Sequence, residues 1–172
     1  MDLRIVKTKK IIKEAFLQLR AKTPLEKIKV RDICNLALIS KSTFYNHYED
    51  VFALSEEMEN EVLSDSFYDF KYKDCLFTNP KLFLENVATH LEKNNTIIEK
   101  LFKGRYEVLY LKLEKQLRDY YKKPNLTADE DILLTFIIGG AMRTGQIFSC
   151  EKKYDNKILA KNMAQFIEKL KK

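Results

Sequence analysis

Apolar residues recur at helical intervals along the whole chain. Ile5, Ile12, Ala15, Phe16 and Leu19 form one stripe, with Lys7, Lys9, Lys10 and Lys13 largely off it, and the pattern breaks before Thr23-Pro24. That spacing predicts a first helix with one apolar and one basic face. Val30, Ile33, Cys34 and Ala37 follow at i, i+3, i+4 and i+7, a short second helix with Asp32 in its first turn. After Leu38-Ile39, Ser40 stands where a cap opens a third helix over residues 41–48. Its spacing turns Phe44 and Tyr48 inward and leaves Lys41, Ser42, Thr43, Tyr45 and His47 outward.

A longer connector helix is expected over about residues 50–70, burying Leu54, Met58 and Val62. Beyond it, Asn79-Pro80 opens a helix carrying Phe83, Val87 and Leu91, and Asn95 opens one carrying Ile98, Leu101 and Phe102 before Gly104. An amphipathic stretch runs through Tyr106, Leu109, Tyr110, Leu113 and Leu117 to Pro124. Thr127 and Glu130 match a capping box ahead of a helix from Ile132 to Phe148, whose middle is apolar nearly all round and is expected to be buried on most sides. A last helix starts near Asp155 and carries Ile158, Leu159, Met163, Phe166, Ile167 and Leu170. Period-two alternation and hairpin turns are nearly absent, so the expected fold class is all-α. Residues 1–49 read as a three-helix N-terminal domain and 50–172 as a larger helical bundle.

Composition narrows the class. With 45% hydrophobic and 33% charged residues the chain folds as a globular protein, and no low-complexity tract argues otherwise. No apolar run reaches the length of a membrane span, and Met1-Asp2-Leu3-Arg4 lacks the layout of a secretory signal, so the cytoplasm is the expected compartment and no membrane partner is expected. Cys34, Cys75 and Cys150 include no CxxC pair, which suggests neither a disulfide framework nor a zinc site. The net charge of +6 is unevenly placed: residues 1–48 hold eleven Lys or Arg against four Asp or Glu, so a polyanionic partner belongs to the N-terminal quarter.

A basic helix, a short helix, a tight turn and an exposed third helix are the parts of a helix-turn-helix whose third helix enters the major groove of double-stranded DNA. The segment from Val30-Arg31-Asp32-Ile33 through Leu38-Ile39-Ser40-Lys41-Ser42-Thr43-Phe44-Tyr45-Asn46-His47-Tyr48 closely resembles the signature of TetR-family regulators, over roughly residues 5–60. Phe136-Ile137-Ile138-Gly139-Gly140-Ala141 and the closing helix are similar to the C-terminal region common among Firmicutes members. The resemblance implies a homodimeric transcriptional regulator, a ligand-responsive repressor on a palindromic operator. It implies that Thr43, Tyr45 and His47 meet phosphates or base edges and that Lys41, Ser42 and Asn46 help choose the sequence, with Lys29, Arg31 and the capping Ser40 on the same surface. Three positions depart from the family pattern. Leu38 occupies a turn position usually held by glycine, Lys29 stands where Thr or Ser usually caps the second helix, and Val51 replaces a frequent lysine.

Gly139, Gly140 and Gly145 fall in one helix, where each costs about 1 kcal/mol relative to alanine. Either a helix within the domain crosses closely there, or the symmetry-related helix does. The second reading gives a dimer interface of Phe136, Gly139, Gly140, Met142, Arg143, Phe148, Met163, Phe166 and Ile167. Phe67, Phe70, Phe83, Phe102, Tyr106 and Tyr110, with Arg143 as a polar anchor, line a cavity for a small apolar or aromatic effector, or they are core; helical spacing favours core. No Glu-x-x-His pair, nucleophile elbow or glycine-rich phosphate loop is present, and His47 has no second ligand at helical spacing, so neither an enzyme nor a metal or other cofactor is expected. The alternatives are a TetR-like coactivator that needs a protein partner or effector to bind DNA and, from another class, a helical-bundle enzyme.

Overall fold

Local signals decide where the helices begin. The computed structural model describes residues 3–67, 75–76, 78–122, 127–150 and 154–170. The first helix, α1 (Leu3–Arg20), stops short of Pro24, and a single 3-10 turn (Leu25–Lys27) leads to α2 (Val30–Ala37) and α3 (Lys41–Tyr45). Asp50 then caps α4 (Val51–Phe67), its Oδ1 accepting the Ala53 amide at 2.7 Å. Asn79 does the same for Leu82 at 3.1 Å, with Pro80 in the first position of α5 (Pro80–Lys93). The next helix, α6 (Asn95–Phe102), begins at Asn95, with Asn94 in the cap position.

Helix α7 (Tyr106–Tyr121) precedes α8 (Ala128–Cys150), which opens on a reciprocal pair of bonds. Glu130 Oε2 accepts the Thr127 amide at 2.9 Å, and Thr127 Oγ1 accepts the Glu130 amide at 3.3 Å. Asp155 Oδ1 accepts the Lys157 amide at 2.8 Å ahead of α9 (Asn156–Leu170). The described residues contain no strand, and no helix among them is long and apolar enough to cross a membrane.

The chain forms two compact units. The first holds Met1–Ser64 together with Asn94–Gly104; the second holds Asp65–Lys93 and Arg105–Lys172. This division differs from a cut at residue 49, because Val51, Leu54 and Met58 bury the start of α4 in the first unit and α6 packs against α1. Phe16 of α1, Ile33 of α2, Phe44 of α3, Leu54 of α4 and Leu101 of α6 are all fully buried there.

In the second unit α5 packs on α9, α7 on α8, and α8 on α9. Phe83, Leu117, Ile137, Ile138 and Ile167 lie in its core. Helix α8 is less enclosed than its composition suggests: Leu134, Ile137 and Ile138 are buried, while Ile132 and Phe136 are 68% and 65% exposed. The neighbours α7 and α9 cover only part of its circumference, so the remaining apolar stripe faces outward.

Candidate nucleic-acid interface

The geometry of the N-terminal unit starts at its tight turn. Leu38 adopts φ 55°, ψ 44°, and its amide donates to the Cys34 carbonyl, as the Ile39 amide does at 3.1 Å. These bonds satisfy the end of α2 and turn the chain toward α3. A left-handed backbone suits glycine, and the Leu38 side chain is 91% exposed, so it adds strain without packing. Leu38→Gly is expected to raise stability by about 1 kcal/mol, read as a higher melting temperature. An unchanged or lower value would mean that the leucine makes a contact in solution.

Ser40 then caps α3. Its Oγ accepts the Thr43 amide at 3.0 Å and shares a hydrogen bond with Thr43 Oγ1 at 2.9 Å. The helix is short, so its orientation rests on its aromatic side chains. Phe44 is fully buried, Tyr48 nearly so, and their ring centroids lie 5.8 Å apart. Tyr45 packs edge-on against Phe44 at 5.7 Å yet stays 56% exposed. The outer face of this turn-and-helix carries Lys41, Ser42, Tyr45 and Asn46 in the open, with Thr43 and His47 half-buried beside them. Lys29 and Arg31, exposed at the start of α2, extend the polar surface; the Lys29 side chain makes no capping bond there. Val51 is buried, so the position that lacks the lysine serves the core instead.

A polar network behind α3 was not foreseen from the sequence. Tyr48 donates its hydroxyl to Glu57 Oε1 at 2.9 Å. Lys9 Nζ reaches Glu57 Oε2 at 2.7 Å and lies 5.1 Å from the centre of the Tyr48 ring, while Lys13 Nζ lies 2.8 Å from Glu57 and 2.6 Å from Glu61. Two lysines of the basic face of α1 are therefore matched by acids of α4, which removes them from the charge available to a polyanion. The signal was present as two like-charged i, i+4 pairs on different helices, meaningful only once the helices are known to touch. Burial works against ionisation of Glu57, but hydrogen bonds from Lys13, Lys9 and Tyr48 hold its carboxyl at about 2, below its ordinary 4.5. Burial and the bond to Glu57 together push the Tyr48 hydroxyl up. Burial also pushes the Cys34 thiol up, which keeps it protonated and unreactive.

A TetR transcriptional regulator from Streptococcus agalactiae 2603V superposes with a TM-score of 0.67 over 95% of each chain, at 24% sequence identity. The chain has the TetR-regulator fold. FadR, a fatty acid degradation regulator from Bacillus halodurans, is a much looser likeness, with a TM-score of 0.45 and 16% identity over 93% of this chain and 94% of that one. No family model and no curated protein matches the sequence.

Of the seven residues considered for an effector cavity, five are described in full, and they are divided between the two units. Phe83 is buried in the core of the second unit and Phe102 in that of the first. Tyr110 and Arg143 share a shallow recess between α7 and α8 with Glu107, Glu114, Gly139 and Met142, and Tyr106 is half-buried at the start of α7. Phe70 and the Phe67 side chain lie outside the described residues.

The α8 glycines divide in two. A Cβ on Gly145 would stand 2.9 Å from the Tyr110 ring, a tight crossing within the unit, whereas Gly139 and Gly140 face open space. Phe136, Gly140, Met163 and Phe166 line an apolar groove between α8 and α9, with Ile167 buried at its floor. Gly139, Met142 and Arg143 lie on the α7 side of α8, and Phe148 stacks near Tyr154.

Proposed function

We propose that this chain is a DNA-binding transcriptional regulator of the TetR type, working in the cytoplasm as a homodimer on a palindromic operator and acting as an effector-responsive repressor. The observation that carries the reading is the outer face of α3. Phe44 and Tyr48 turn inward and anchor this segment, while Lys41, Ser42, Tyr45 and Asn46 are presented together in the open. Lysine can reach guanine acceptors, asparagine can pair with adenine, and hydroxyls bond phosphates, so the face offers both positioning and base-reading groups. Thr43 and His47 flank it, and Lys29 and Arg31 add phosphate contacts.

The second support is the apolar groove of α8 and α9, argued below as the dimer face. A dimer sets two reading heads about 34–36 Å apart, one helical turn of DNA. The recess holding Tyr110 and Arg143 is where an aromatic effector would bias that spacing.

Selection of bound duplexes from a random library, run with wild type and Tyr45→Ala at moderate salt, tests the reading. Wild type is expected to recover a palindrome that Tyr45→Ala loses, with affinity falling steeply as salt rises. No enrichment by wild type at any salt would transfer support to a coactivator that reads DNA only with a protein partner.

A further inference from the structure

The C-termini of α1 and α6 meet inside the first unit, and each is capped by a cation from the other. Arg20, the last residue of α1, has no exposed surface. It donates from Nη1 to the Thr23 carbonyl at 2.9 Å, and from Nη2 to the Leu101 carbonyl at 2.8 Å and the Lys103 carbonyl at 3.3 Å. Lys103, just past α6, donates from Nζ to the Ala21 carbonyl at 3.1 Å. The last carbonyls of a helix have no intrahelical partner and form the negative end of its dipole. Two such ends side by side repel and leave acceptors orphaned unless cations stand between them. Here both helices supply one.

Burying a guanidinium is costly, and an aliphatic side chain would fill the same space without that cost, so a reason beyond packing is needed for the charge. Connectivity supplies it. The chain enters α6 from α5 and leaves it into α7, and both of those helices belong to the second unit. The first unit is therefore tethered twice, once through α4 and once through α6, and the second tether holds only as firmly as α6 is held to α1.

We infer that Arg20 and Lys103 form a clamp that fixes α6 to the DNA-reading head and thereby sets which half-site spacing the dimer accepts. Arg20 is on this view a positioning residue, without contact to DNA. The inference rests on the DNA-binding reading above. A head tied by α4 alone pivots about one tether, so loosening the clamp relaxes the spacing requirement more than it weakens each half-site contact.

The test uses full-length wild type, Arg20→Met, Arg20→Lys and Lys103→Ala, with hydrogen exchange of the free proteins and binding to palindromes whose half-sites are moved apart by single base pairs. Arg20→Met is expected to speed exchange across α6 and to reduce the preference for the best spacing roughly tenfold, with Arg20→Lys and Lys103→Ala intermediate. Unchanged α6 exchange overturns the clamp. Faster exchange with affinity lost equally at every spacing overturns the positioning role and leaves a structural one. Should Arg20→Met fail to fold, the exposed Lys103→Ala carries the same two readouts. If wild type binds no DNA, the DNA-binding reading has failed, and α6 exchange in the free variants still decides whether the clamp exists.

Discussion

Phe136→Asp combined with Phe166→Asp is expected to leave only monomer where the proposed homodimer would form and to weaken the proposed DNA binding by at least about a hundredfold. Both rings are roughly two-thirds exposed, at 65% and 64%, and they flank a groove whose rim includes Gly140, beside which nothing lies within 4 Å. Ile132 at 68% and Leu170 at 49% prolong the same apolar surface along α8 and α9. Exposed apolar residues that form one continuous face mark an interaction site, and a twofold axis brings such a face onto its own copy. Small residues at Gly140 and Ala141 would let two α8 helices approach closely.

Four phenylalanine rings buried across a twofold interface contribute about 6–12 kcal/mol of gross stabilisation, and the carboxylates that replace them must be desolvated as well. A dissociation constant moves tenfold for every 1.4 kcal/mol, so micromolar protein is expected to sediment as a monomer. The fold of each chain should persist, because neither ring belongs to the core of its own unit; unchanged helicity by circular dichroism checks that. A double variant that still sediments as a dimer would place the interface elsewhere.

What the sequence made legible was local. Caps at Ser40, Asn79 and Asp155, the Thr127–Glu130 box and the inward pairing of Phe44 with Tyr48 each depend on residues within one turn, and each appears where spacing put it. The left-handed turn at Leu38 was legible through the glycine expected there. Long-range partners were not. Lys9 and Lys13 read as one basic face with Lys7 and Lys10, yet Glu57 lies 48 positions from Lys9 and Glu61 lies 48 from Lys13. Arg20 gave no signal, since its acceptors are main-chain carbonyls that any sequence would supply. For the same reason α6 read as part of the C-terminal bundle, although its buried face lies in the first unit. The apolarity of α8 read as a helix buried on most sides, yet Ile132 and Phe136 stay exposed in the chain, and composition alone could not say where cover for them would come from.

Glu57 is where acid should act first on the first unit. Its carboxylate accepts from Tyr48, Lys9 and Lys13, so α1, α4 and the turn after α3 converge on one group. Its carboxyl is held at about 2 in the folded chain, against 4.5 ordinarily. A depressed carboxyl contributes stability that is fully present above the ordinary value and is lost as pH falls toward the folded one, so the loss is expected between about pH 5 and 2. The whole shift would correspond to about 3 kcal/mol, and because the side chain is 31% exposed, solvent screening reduces that to roughly 1–2 kcal/mol. Lys13, raised above its ordinary value by Glu57 and Glu61 despite burial, loses its share only at the alkaline end. Glu57→Ala should cost about 2–3 kcal/mol at neutral pH, because it also strands the hydroxyl of a nearly buried Tyr48. The reporter is native-state hydrogen exchange at the Tyr48 amide, which donates to the Phe44 carbonyl at 3.0 Å. The gap between wild type and Glu57→Ala should narrow as pH falls through this window, leaving mainly the Tyr48 contribution. A gap that stays constant from pH 7 to 3 would mean that the ion pairs carry none of the stability, and that the network only positions Tyr48 behind α3.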